Sequence, residues 1–178
     1  CRQARRWLDA GREIRVAVNL SARQFRDSNL AGMVRRCLDD SGLSPRLLKL
    51  EITENVAMDN AQEAARIMND LKAIGIGLSI DDFGTGYSSL AYLKRFPIDQ
   101  LKIDRSFVQD IGRHPDSDAL VHSIIGLAHN LRLQTVAEGV ETAEQRDFLK
   151  GAGCDLMQGY LFSRPLPPED LHDALGLG

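Results

Sequence analysis

Long apolar runs are what this sequence most plainly lacks. Nowhere in its 178 residues does a stretch approach the roughly 20 consecutive apolar residues of a membrane-spanning helix. No secretory leader pattern is visible either, so a cytoplasmic domain is expected, with any membrane tether lying upstream. Positive charge is not in excess. Lysine and arginine number 22 against 25 aspartates and glutamates, a net charge of -3, which argues against a binder of DNA or RNA duplexes. Cysteine is sparse: Cys1, Cys37 and Cys154 lie far apart with no CxxC or other metal-binding spacing, and read as reduced thiols.

Several catalytic signatures are missing too. No GxGxxG or GxxxxGK[ST] follows the first strand-like run, which weakens a nucleotide-binding doubly wound sheet. His114, His122, His129 and His172 form no HExxH and no pair four residues apart. Asp82-Phe83-Gly84 matches the kinase triplet, yet no HRD loop or VAIK lysine accompanies it. Thr85, Ser88 and Ser89 lack a nearby base and read as loop and capping residues, and Arg2, Arg5 and Arg6 as a solvated helix face. With no repeat, low-complexity tract or linker, residues 1–178 read as a single domain. An initiator methionine is also absent: CRQARRWLDAG reads as the last turns of a helix closed by Gly11, so the chain is expected to be an N-terminally truncated piece.

What is present is alternation between two periods. Strand-like runs cover 14–20, 47–53, 77–82, 100–103, 133–138 and 155–160. Between them lie helical stripes: Leu30, Met33, Val34, Cys37 and Leu38; then Ala64, Ile67, Met68, Leu71 and Ile74; then Leu120, Ile124, Leu127 and Leu131. Thr142 with Gln145 forms a capping box for a further helix, and Pro168 precedes a last one over 169–175. Strand–helix alternation predicts an α/β fold with a parallel sheet and right-handed crossovers. Six strands fit a doubly wound sheet or a (β/α)8 barrel with part of itself missing.

The polar residues cluster at the C-terminal ends of those strands: Asn19, Glu51, Asp81 with Asp82, Lys102 with Asp104, Glu138 followed by Glu141, and Gln158. Parallel barrels build active sites at that end. In LKLEIT, Leu48, Leu50 and Ile52 share the face that packs on helices, and Lys49, Glu51 and Thr53 share the face toward the lumen. An ionised carboxylate there is costly unless paired or bound to a metal. Glu51, Asp81, Asp82 and Glu138 together require a cation, and hard oxygen donors suit Mg2+ or Mn2+ rather than zinc. One such residue alone reads more simply as a helix cap or surface charge; the joint pattern is the signal. Chemistry of this kind leaves open a magnesium enzyme of the enolising or aldol type, with Lys102 as base.

VNLSARQF, LEITE, IDDFGTGYSSL, PIDQLKIDRSFV, TVAEGVET and QGYLFSRP closely resemble the consecutive signature blocks of EAL domains, in order, from about Val16 to Leu166. The resemblance implies an EAL-type TIM-like barrel, with about six of eight strands present, and metal-dependent hydrolysis of cyclic di-GMP to linear pGpG. It implies that Asn19, Glu51 and Asp81 hold one divalent metal, and that Asp81 bridges to a second supported by Asp82 and Glu138. Lys102 would orient the attacking water. Glu141 and Gln158 fall on further active-site positions, and Asp81 and Gln158 also touch substrate. Glu54 would anchor the loop from Asp82 to Ser89, which couples dimerisation and metal binding to activity, and Arg164 and Pro165 would border a guanine pocket. Homodimers and attached sensory or GGDEF domains are implied as partners. A non-catalytic cyclic di-GMP receptor is the alternative. The departure is the EAL tripeptide itself, absent here with the arginine that follows it. The expectation is that these residues alone bind metal weakly and catalyse poorly, while a parent with that segment is active.

Overall fold

The computed structural model describes residues 1–86 and 90–171. Six strands, β1 (Val16–Leu20), β2 (Leu48–Thr53), β3 (Gly77–Phe83), β4 (Gln100–Ile103), β5 (Gln134–Ala137) and β6 (Leu156–Met157), pair in sequence order and all in parallel. A doubly wound sheet reverses its strand order at a switch point. This order runs straight through, which is the sequence of a barrel, and the sheet curls into an incomplete TIM-like one.

Helices connect the strands: α1 (Arg2–Asp9) precedes β1, and α2 (Ala22–Phe25), α3 (Leu30–Ser41), α4 (Glu54–Asp59), α5 (Ala61–Lys72), α6 (Leu90–Leu93), α7 (Arg105–Gln109), α8 (Pro115–Asn130) and α9 (Ala143–Gly151) fill the crossovers. Period 2 sorts the strand residues. Leu48, Leu50 and Ile52 of β2, Leu78 and Ile80 of β3, and Leu101 and Ile103 of β4 are all at most 4% exposed, forming the layer between sheet and helices. Each such side chain contributes about 1.5–3 kcal/mol of burial free energy. α3 closes this layer with Leu30, Val34 and Leu38, and α5 with Ala61, Ala64, Ile67, Met68 and Leu71.

The structure corrects several sequence boundaries. On α8 the buried stripe is Val121, Ile124, Ile125 and Ala128; of the expected Leu120, Ile124, Leu127 and Leu131, Ile124 is buried, Leu127 and Leu131 pack half-buried against the core, and Leu120 is 40% exposed. Met33 and Cys37 lie on the exposed flank of α3. β1 begins at Val16 rather than Ile14, and β6 keeps only Leu156 and Met157 of the run expected over 155–160. The capping box of Ser21 with Gln24 that starts α2 was not anticipated, whereas that of Thr142 with Gln145 starts α9 as expected. The expected last helix falls largely outside the described residues; Glu169 and Asp170 form a turn. No helix among the described residues is long and apolar enough to cross a membrane.

Candidate metal-dependent active site

Register decides which side chains share the lumen. β1 aligns Asn19 with Glu51 of β2, and β2 aligns Glu51 with Ser79 and Thr53 with Asp81 of β3. With β4 and β5 next in order, the polar residues of successive strands come to one rim. Lys102 stands at its centre. Its ammonium lies 2.6 Å from Glu51 Oε2, 3.0 Å from Asp81 Oδ1 and 2.6 Å from Glu138 Oε1. Lys102 and Glu51 are 3% and 8% exposed, and Asp81 is 7%. Burial by itself pulls an ammonium pKa down. Here hydrogen bonds to Glu138, Glu51 and Asp81 outweigh burial, and the Lys102 pKa is raised well above its ordinary value. Lys102 is therefore a fixed positive charge rather than a base near neutral pH, which removes the support for an enolising enzyme that uses it as one.

Adjacent residues on a regular strand face opposite sides, so Asp81 and Asp82 should diverge. They do not. The register of β3 against β4 shifts between Ile80 and Phe83, and Asp82 adopts a left-handed backbone with φ 54°. This bulge turns Asp82 back to the rim, where ligand atoms of Asp81, Asp82 and Glu138 all lie within 4.8 Å of one another. Aspartate tolerates left-handed backbone better than most residues, and bulges of this kind re-aim side chains beside active sites. Burial raises the Asp82 pKa, with neighbouring Asp81 and Asp104 adding to the effect. Glu138 is also raised by burial, partly offset by Lys102. Asp104, which caps α7, is lowered because hydrogen bonds from Ser106 outweigh burial. The hard oxygen donors of Asp81, Asp82 and Glu138 fit a divalent cation of the magnesium or manganese kind. Glu51, bonded to Lys102, lies outside that three-carboxylate group, and Asn19 is exposed beside Glu51 on the neighbouring strand.

The remaining sequence-predicted residues take distinct places. Glu54, at the start of α4 and 1% exposed, accepts a hydrogen bond from the Gly84 amide through Oε2 at 2.7 Å. The loop it grips continues into residues 87–89, outside the described set. Glu141 and Gln158 line a cavity of about 210 Å3 with Glu138, Gly139, Arg105, Gln109, Gly159 and Tyr160. Arg164 lies 5.0 Å above the Tyr160 ring, and neither it nor Pro165 forms part of the cavity wall. The sequence reading set Asp104 at a strand end without a role and passed over Arg105. Their only signal was adjacency to Lys102 in LKIDR.

A parallel barrel with acidic side chains around a buried lysine at its C-terminal rim defines a class of α/β barrel domains built to hold divalent cations. The chain belongs to the EAL domain family, whose model matches residues 1–165. It is 50% identical over 169 residues to the signaling protein YkoW of Bacillus subtilis, covering 95% of this chain and 21% of that protein. It is 49% identical over 172 residues to the bifunctional diguanylate cyclase/cyclic di-GMP phosphodiesterase MucR of Pseudomonas aeruginosa, covering 96% of this chain and 25% of MucR. The chain thus spans between a fifth and a quarter of these relatives' length. The MucR phosphodiesterase solved as a c-di-GMP complex superposes with a TM-score of 0.94 at 49% identity, over 96% of this chain and 70% of that one. Klebsiella pneumoniae BlrP1, solved with manganese and cyclic di-GMP, matches with a TM-score of 0.82 at 34% identity, over 92% of this chain and 41% of its own.

Proposed function

We propose that this domain hydrolyses cyclic di-GMP to linear pGpG in a metal-dependent reaction. The observation that carries the reading is the Lys102 ammonium bonded at once to Glu51, Asp81 and Glu138, at the rim of a chain whose relative MucR is a named cyclic di-GMP phosphodiesterase. Four carboxylates, Glu51, Asp81, Asp82 and Glu138, surround one ammonium, leaving a surplus of three negative charges. An anionic phosphodiester approaches such a rim only if cations offset it.

Asn19, Glu51 and Asp81 on one side, and Asp81, Asp82 and Glu138 on the other, are the residues that would hold two Mg2+ or Mn2+ ions. When bound, such ions supply Lewis-acid charge to the phosphate oxygens. The other roles belong to the chain itself. Lys102, with its three N–H groups on Glu51, Asp81 and Glu138, serves as a charge rather than as the base: it stabilises negative charge that grows on the phosphate oxygens, and would orient a water once one of those carboxylates turns to a cation. The water oxygen joins one phosphorus while its proton passes to a rim carboxylate, the bond from that phosphorus to O3′ breaks as O3′ takes up a proton, and the 5′-phosphate stays on the product. Glu141 and Gln158 line the neighbouring cavity and hold the nucleotide against the rim, with Arg164 and Pro165 further out. Glu54 fixes the loop that carries Asp82.

The domain is proposed to be one unit over 1–178, to work as a homodimer in the cytoplasm, and to operate beside sensory or GGDEF modules. The double name of MucR and the small share of each relative that the chain spans support that setting. The test is incubation of the full-length protein with cyclic di-GMP and Mg2+ or Mn2+, followed by chromatographic separation of nucleotides. Appearance of pGpG that is lost on adding a chelator is the expected result. Saturable binding with no pGpG would establish a receptor instead.

A further inference from the structure

The cavity beside the carboxylate rim is built more rigidly than a surface dent. A Cβ at Gly159 would fall 2.1 Å from the Val140 carbonyl oxygen and 2.3 Å from its nitrogen, so these two backbones are in direct contact. Val140 and its neighbours are also tied by Val140 N to Gln158 O at 3.0 Å and Leu161 N to Val140 O at 3.0 Å. Gln158 and Tyr160 are therefore held in register with Glu138 and Glu141. On the opposite wall, a Cβ at Gly139 would lie 2.7 Å from Arg105 Cβ, and Gly139 has φ +69°. The turn after β5 packs against Arg105 Cβ, which fixes where its side chain leaves α7.

Arg105 and Gln109 stand at the two ends of α7, four residues apart, so they lie on one helix face and line this cavity together. The Arg105 guanidinium has no ion pair or hydrogen bond among the described residues, although Glu138 and Glu141 line the same space. An arginine beside an active rim, with no guanidinium donor engaged among the described residues, is equipped to bind a planar acceptor edge.

Resting on the reading above, we infer that Arg105 binds the O6 and N7 edge of one guanine of the substrate and sets the preference for guanine over adenine. The space, about 210 Å3 and open to solvent, is short of the ~300 Å3 that whole small-molecule ligands usually occupy, so it takes one part of a dinucleotide rather than the whole. With Glu138 engaged by Lys102, the Glu141 carboxylate in the wall disfavours an anion, which favours a neutral base over a phosphate. Guanine presents two acceptors to an arginine fork, while adenine presents the N6 amino donor in the place of O6. Arginine has no acceptor to receive that donor.

The experiment measures KM for cyclic di-GMP and the inhibition constant of cyclic di-AMP as competitor, on full-length wild type, Arg105→Ala and Arg105→Lys, with Mg2+ or Mn2+ present. Arg105 is exposed, and unchanged melting temperatures certify that the variants fold. The expected result is a KM about tenfold or more higher in Arg105→Ala, more than any change in kcat, with the guanine-over-adenine ratio shrinking by a similar factor, and a smaller loss on both counts in Arg105→Lys. Equal weakening of both nucleotides in Arg105→Ala would mark a phosphate contact and overturn the inference, as would no change at all. Should the wild type fail to produce pGpG, the proposed activity falls; the ratio of calorimetric affinities for the same two nucleotides then decides the guanine contact on its own.

Discussion

Lys102 is the residue on which the rim balances. It neutralises one unit of a four-carboxylate cluster and touches three of its members within hydrogen-bond distance. Removing one partner of a buried charge network leaves the others uncompensated, which costs about 3–5 kcal/mol. Lys102→Met should therefore lower stability by that order in urea denaturation without added metal, and Mn2+ should restore part of the loss by supplying the missing charge. A variant as stable as wild type in chelator would show that the cluster is not electrostatically stressed. Asp82 makes the complementary case. Its left-handed backbone and its raised pKa are both unfavourable for an ionised aspartate in this position. Asp82→Gly relieves both, since glycine adopts positive φ freely. The expected outcome is a melting temperature at or above that of wild type, with pGpG production reduced at least about a hundredfold, as when strain is kept for function. A destabilised Asp82→Gly protein would refute the strain argument.

At the scale of elements, the strands set direction and the turns set aim. β6 shows how. Its start is fixed by Asp155, whose Oδ2 accepts from the Thr135 amide at 2.7 Å and from Thr135 Oγ1 at 2.8 Å, with His129 Nε2 at 2.9 Å. It then stops after two residues, because Gly159 packs on Val140. Gly159→Ala is expected to cost about 1–3 kcal/mol through overpacking, and to reduce kcat/KM even where the protein stays folded, because it moves Gln158 relative to Glu138; unchanged urea stability would count against the close approach. The same packing explains what the sequence could and could not disclose. Alternation in LKLEIT marked β2 and its lumen face because each face meets one environment. The end of β6 was hidden because Asp155 to Tyr160 keeps strand-like composition while a backbone contact far away in sequence cuts the pairing short. Asp82 was placed at the right strand end, but period 2 sends it to the wrong face, and only the bulge brings it back. On α8, Leu120 and Val121 are equally apolar, so periodicity alone could not choose between them; packing on β4 and β5 chose Val121. Arg105 was overlooked because nothing local distinguishes an arginine packed at its Cβ from a solvated one.

For the whole molecule the site is a charge problem shared by fold and ligand. Burial raises the pKa of Glu138 above its ordinary 4.5 and that of Asp82 above 3.8. A carboxyl raised in the folded state favours folding most when protonated, so its contribution is complete below the ordinary value and is lost as pH climbs through the folded value. Without divalent ions, the rim thus makes the protein less stable as pH rises through the window just above 4.5. Metal binding has the opposite dependence, since the ligands must be ionised and any proton they carry is released. Affinity for Mn2+ should rise through that same window and level off once both carboxyls are ionised, while Lys102, with its raised pKa, stays charged throughout. Calorimetric titration at several pH values, in buffers of different ionisation heat, reads both quantities: net proton release at the acid end that vanishes toward neutrality, and a binding constant that grows as the release fades. In Glu138→Gln the proton release should shrink, because one titrating ligand is gone. Affinity that does not rise through the window just above 4.5, with no protons released there, would place the cation away from Glu138 and Asp82 and remove the geometric basis for hydrolysis at this rim.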